Sequence, residues 1–215
     1  MPGGRRAAAA LVLIAAFSLG STVSAHRRDE CLQAARLSVE PGRVDLELDL
    51  TPGTAVAGAI IADIDRDRNG VLSADEKRAW LGRVLDGLVL ELDGRALHMD
   101  AIGSTFPDLD AIRGGEGVIR LQSASVLPRQ ADGDHQLVFR NTNQRDVSVY
   151  LANALMPISD RVSIAAEHRD PAQRNLTIDY VLRGGSPSSV PTWLLGGLAG
   201  MTVLAALLMR PSKPA

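Results

Sequence analysis

Asp65, Asp67, Asn69 and Glu76 place side-chain oxygens along the twelve residues Asp-Arg-Asp-Arg-Asn-Gly-Val-Leu-Ser-Ala-Asp-Glu, a stretch without histidine or cysteine. Oxygen donors in such number suit a hard divalent cation, which takes about six to eight of them. The alternate spacing of Asp65, Asp67 and Asn69 delivers three donors from one turning segment. Gly70 follows where the chain must turn sharply, in a backbone conformation that most residues resist. Val71 then offers its carbonyl, Ser73 reaches the ion through a water, and Glu76 closes the shell with both carboxylate oxygens.

Two helices must hold this loop. Thr51-Pro52 sets a capping residue and a proline where the first helix should begin, and Val56, Ile60 and Ile64 fall on one face. After the loop, Trp80, Val84, Leu85 and Leu88 do the same. Ser73 and Glu76 have the spacing of a capping box, while Asp75 and Glu76 favour the positive end of the second helix. A helix-loop-helix unit over 53–88 is therefore expected.

With its loop spacing, an apolar Leu72 at the eighth position and amphipathic flanks, this unit resembles the EF-hand calcium-binding proteins. The resemblance covers the helix-loop-helix alone. It implies Ca2+ as the bound ion, with Asp65, Asp67, Asn69, Val71, Ser73 and Glu76 as ligands. Three carboxylates and one amide give a moderate ligand charge, Arg66 and Arg68 sit beside them, and no second loop is present for Leu72 to pair with. Asp108-Leu109-Asp110 lacks the glycine and glutamate, and Asp132-Gly133-Asp134 reads as a turn. The expected dissociation constant is on the order of 10⁻⁴ to 10⁻³ M, as in extracellular modules. A site of that strength in abundant calcium is mostly filled and braces its helices; a response to falling calcium is the alternative.

Outside this unit the pattern has period two, which alternates side chains between the faces of strands. Val44, Leu46, Leu48 and Leu50 alternate with polar residues, and Glu40-Pro41-Gly42-Arg43 joins them by a tight turn to the segment with Leu37 and Val39. Further strands are expected around Leu88–Leu92, Val118–Ser123, Gln136–Phe139, Val147–Leu151, Val162–Ile164 and Leu176–Leu182, with Asp93-Gly94 as a hairpin signal. The fold class expected is mainly β, an antiparallel β-sandwich of about eight strands, with the helix-loop-helix inserted between the second and third.

The ends carry a different composition. Residues 1–25 have Arg5 and Arg6, an apolar run from Ala7 and small residues up to Ala25, the layout of a secretory signal peptide. Residues 26–183 form the exported domain, and 184–192 have linker composition. Residues 193–209 are uncharged and apolar, at the short edge of what crosses a bilayer, and Arg210 and Lys213 predict a cytoplasmic tail over 210–215. A single-pass protein of a bacterial cell membrane follows, with its domain on the periplasmic or extracellular side; a sorting tail that is later removed is the alternative. The exported region holds 19 basic against 25 acidic side chains, net −6, which disfavours nucleic acid as a partner. A protein partner is left open.

Cleavage after Ala25 makes His26 the first mature residue, whose amine and imidazole suit copper or nickel. The run from Ala25 to Glu30, ahead of a β domain with a membrane tail, resembles the exported portions of bacterial nickel, cobalt and copper handling proteins. That resemblance implies a role in transition-metal uptake, with a second ligand from His98, His135 or His168. The single cysteine, Cys31, forms no internal disulfide and reads as a small hydrophobe. No nucleophile elbow, paired-histidine protease motif or phosphate loop occurs, Gly114-Gly115-Glu116-Gly117 reads as a loop, and an enzyme is not expected.

Overall fold

Strict alternation decides the central strands. In the computed structural model, which describes residues 29–184, β1 (Cys31–Glu40) buries every second side chain from Cys31 to Val39. β2 (Arg43–Pro52) does so from Val44 to Pro52. They form a hairpin whose register runs from Cys31 opposite Pro52 to Glu40 opposite Arg43. Gly42 makes the turn possible with φ +81°.

The remaining strands are β3 (Leu88–Leu92), β4 (Arg95–Leu97), β5 (Asp100–Thr105), β6 (Ile119–Val126), β7 (Gly133–Asn141), β8 (Ser148–Ala154), β9 (Val162–Arg169) and β10 (Asn175–Leu182). The fold is mainly β, with two five-stranded sheets in the orders β5-β6-β2-β1-β8 and β4-β3-β7-β10-β9. Both sheets send their apolar residues into one core: Leu37, Leu48 and Leu121 from the first, Leu90, Phe139 and Ile178 from the second.

Several details differ from expectation. All but one of the strand pairs are antiparallel; β8 runs parallel to β1, with Cys31 opposite Ser148 and Leu37 opposite Ala154. The chain reaches that position because β7 and its loop bring it back to the end where β1 begins. Thr51 and Pro52 finish β2 instead of opening a helix, because both pair with β1. β4 is the second arm of the hairpin expected at Asp93-Gly94, with Leu92 opposite Arg95, whereas β5 is an additional strand, exposed along nearly all its length and so without the apolar alternation that marks the others. Gly114 ends a short helix, α3 (Leu109–Gly114), and Gly115 caps it at φ +77°. Gly117 packs so closely that a Cβ there would lie 2.7 Å from the Ile112 nitrogen.

Two longer helices lie between β2 and β3: α1 (Ala57–Ile64) and α2 (Ala74–Asp86). α1 buries Ala57, Ile60, Ile61 and Ile64. α2 buries Trp80, Leu81 and Val84, and Leu88, expected both on the apolar face of the helix and at the start of a strand, opens β3. Trp80 meets Phe106 edge-on at 6.0 Å between ring centroids, a favoured aromatic arrangement.

Among the described residues no helix is long and apolar enough to cross a membrane. Residues 1–25, expected as a signal peptide, together with His26 and the apolar run 193–209, lie outside the described residues.

Candidate metal centre

α1 ends at Ile64 with Asp65 as its C-cap, whose N–H bonds the Ile61 carbonyl at 2.7 Å. The chain then turns through Arg68 and Gly70, both at positive φ, 59° and 80°. It enters α2 through Ser73, which caps the helix: the Ser73 Oγ accepts the Glu76 N–H while the Glu76 carboxylate accepts the Ser73 N–H. The expected capping box is present. The nine residues between the helices are thus pinned at both ends by local hydrogen bonds.

Within this loop, oxygens of Asp65, Asp67 and Glu76 all lie within 4.8 Å of one another. Backbone donors aim them inward. Asp65 Oδ1 and Oδ2 accept the N–H groups of Asn69 and Gly70 at 3.1 and 2.9 Å. Asp67 Oδ1 accepts the Asn69 N–H at 3.0 Å, and Asn69 Oδ1 accepts the Val71 N–H at 2.7 Å. Asp65 is buried, Glu76 half-buried, and Asp67, Asn69, Val71 and Ser73 exposed. An ionised carboxylate has about four lone-pair sites, so Asp65 and Asp67 keep capacity for an ion.

Glu76 is more heavily engaged. Its Oε2 accepts from the Ser73 Oγ and N–H at 2.7 and 3.0 Å, and its Oε1 from the Arg66 and Asp67 N–H groups at 2.8 and 3.4 Å. The Ser73 hydroxyl first, then these backbone donors, pull its pKa down to about 2. It is a carboxylate at any physiological pH. An ion gripped by both its oxygens competes with these donors.

Three carboxylates crowd together here, yet among the described residues no arginine or lysine pairs with Asp65, Asp67 or Glu76. Arg66 turns instead to Asp63, at 3.6 Å. Like charges this close repel by an amount that grows as water is excluded, and a divalent cation would neutralise them. The donor set is oxygen only, which suits a hard cation better than copper or nickel, whose protein sites draw on nitrogen and sulfur.

Sequence spacing does not mark the residues that join this unit to the rest of the fold. Trp80 Nε1 donates to Asp63 Oδ2 at 3.0 Å, and Arg83 Nη2 donates to the Asp63 carbonyl at 2.8 Å. At the far end of α2, Asn143 Nδ2 donates to the Val84 carbonyl at 2.9 Å. Asn143 N–H bonds Asn141 Oδ1, and Asn141 Nδ2 bonds Gln33 Oε1 at 2.8 Å. Gln33 and Asn141 are both buried. A polar chain thus runs from α2 to β7 of one sheet and β1 of the other. Only the burial of Gln33, which sits on the apolar face of β1, leaves a trace in the sequence as a break in hydrophobic alternation. Leu72 packs against the common core.

The histidines within the described residues are apart from this loop. His98 faces Asp100, His135 faces Asp93 and His168 faces Asp179. Cys31 is fully buried, and burial pushes its thiol up to about 12.

The chain matches no family model, no curated protein and no solved structure.

Proposed function

We propose that this is an EF-hand calcium-binding protein of the cell exterior, an exported β-sandwich tethered by residues 193–209, in which Ca2+ braces α1 and α2 against the two sheets. The observation that carries the reading is the convergence of Asp65, Asp67 and Glu76 oxygens within 4.8 Å, with no arginine or lysine paired to them among the described residues. Asn69, the Val71 carbonyl and Ser73 complete the ligand set. The number of oxygens and the bidentate capacity of Glu76 favour calcium over magnesium, which demands a smaller octahedral shell and keeps its waters.

The four hydrogen bonds already held by Glu76 argue for weak affinity, since the ion must displace part of them. Weak affinity outside the cell makes the ion a brace and not a switch. Its stabilisation follows RT ln(1 + [L]/Kd), about 1.4 kcal/mol at tenfold excess over Kd.

Calorimetric titration of the protein with calcium, and with magnesium as comparison, tests this directly. Binding of one calcium per chain that disappears in Glu76→Gln is the expected result. Absence of calcium heat in the unmodified protein would overturn it.

A further inference from the structure

The chain leaves the described fold at one end of the two sheets. β10 finishes at Leu182, opposite Val162 of β9 and Gly133 of β7. Residues 185–192 then lead to the apolar run that starts at Trp193. Fully extended, that connection reaches at most about 29 Å.

The same end collects the β1–β2 turn, the end of β6 and the loop from β8 to β9. Val126 lies opposite Arg43 at the turn, and the N–H groups of Ile158 and Ser159 bond the Glu40 carboxylate there at 2.7 and 3.0 Å. At this rim large apolar side chains stand in solvent: Val126 is 81 %, Met156 88 % and Ile158 93 % exposed. Their backbone is held in place, for the Leu155 N–H also bonds the Leu37 carbonyl at 2.7 Å. The helix-loop-helix is at the opposite end, between Pro52, which faces the start of β1, and Leu88, which faces the end of β7.

We propose that Val126, Met156 and Ile158 form a bilayer-contacting rim that enters the apolar boundary of the membrane to which the chain is tethered. The proposal rests on reading 193–209 as a membrane span. The short connection keeps this end of the fold beside the lipid, and large exposed apolar side chains are most stable where they leave water. Charges near the rim have both signs, with Arg43 paired to Asp45 at 2.6 Å and Asp160 beside Arg161 in the loop. Contact therefore depends on apolar insertion and not on lipid charge. One consequence is orientation: the metal loop faces away from the membrane, towards the calcium-bearing medium.

The test uses the full chain in phosphatidylcholine vesicles. Cys31 is the one cysteine and is buried, so Met156→Cys or Ile158→Cys takes a thiol-reactive fluorophore selectively, and Ala79→Cys on the exposed side of α2 is the reference. The vesicles should carry the protein on flotation. Labels at 156 and 158 should shift to the blue, be quenched by nitroxide-bearing lipid and lose iodide quenching, and Met156→Asp should reverse this in the chain labelled at 158. The label at 79 should respond to iodide alone. If the protein floats while labels at 156 and 158 behave as at 79, the rim proposal is overturned and the tether stands. Protection that instead rises with protein concentration in detergent, without lipid, assigns the rim to a second copy and also overturns it. A chain that does not float removes the tether and the proposal together.

Discussion

Trp80 donates its indole N–H to the Asp63 carboxylate at 3.0 Å, joining the middle of α2 to the last turn of α1 across the candidate metal loop. Arg83 reaches the same carboxylate at 3.1 Å. The two helices are therefore clamped by side chains that lie outside the ligand set. The loop between them has its ends fixed before any ion arrives.

Calcium should raise the thermal stability of the protein. At tenfold excess over Kd the gain is about 1.4 kcal/mol, or roughly 3–6 °C for a domain of this size. Scanning calorimetry with calcium and with chelator measures it. Glu76→Gln should unfold at the same temperature in both.

Replacing Trp80 by phenylalanine keeps most of the buried ring and removes the bond to Asp63. A loss of about 1 kcal/mol is expected, against about 3–5 kcal/mol for Trp80→Ala, which also opens a cavity. Urea unfolding of the two variants separates the clamp from the packing.

Acid should weaken the first sheet. Glu47 is held low chiefly by the hydrogen bond from Arg36. For Asp49, burial raises the pKa, but the bonds from Arg120 and Arg36, at 2.7 and 2.6 Å, outweigh it and the net shift is downward. Carboxylates depressed in the folded state contribute stability that is present above their unfolded value, about 4, and lost as pH falls through the folded one. Urea midpoints taken between pH 7 and pH 2 should fall below about pH 4, and Asp49→Asn should flatten that fall while lowering stability at neutral pH.

His135 should act in the opposite direction. Burial lowers its pKa, but its contacts with the Ala131 carbonyl and the Asp93 carboxylate, both at 2.8 Å, outweigh burial and raise it. A raised histidine contributes stability that is complete below its unfolded value, about 6.5, and is lost as pH rises through the folded one. His135→Gln should remove that part of the decline on the alkaline side, read from denaturant midpoints.

Cys31 should resist thiol reagents in the folded protein, because it is fully buried and its thiol is pushed up to about 12. The thiolate is the reacting species, so labelling should follow unfolding. Mass spectrometry after timed exposure to an alkylating reagent, with and without denaturant, reports the difference.

Much of the fold is legible because its signals are short-range. Alternation from Val44 to Leu50 assigns the buried face of β2 without knowledge of its neighbours, and the Ser73 to Glu76 spacing marks where α2 starts. β5 escaped because a mostly exposed edge strand lacks apolar alternation. α3 escaped because a helix of six residues is too brief to display a period.

The sequence by itself determined the donor types of the candidate metal loop, its turning glycine, the cap that opens α2 and the two-faced character of the strands. Each depends on residues within a few positions of one another. The parallel place of β8 beside β1, the Asp63 clamp, the Gln33–Asn141 link between sheets and the gathering of Val126 with Ile158 at one end were decided by tertiary structure alone. Their partners are distant along the chain, and closing a longer loop costs little more than closing a shorter one. Spacing therefore does not select among them. Burial does, by matching apolar faces around one core and leaving the polar groups that cross it to find each other.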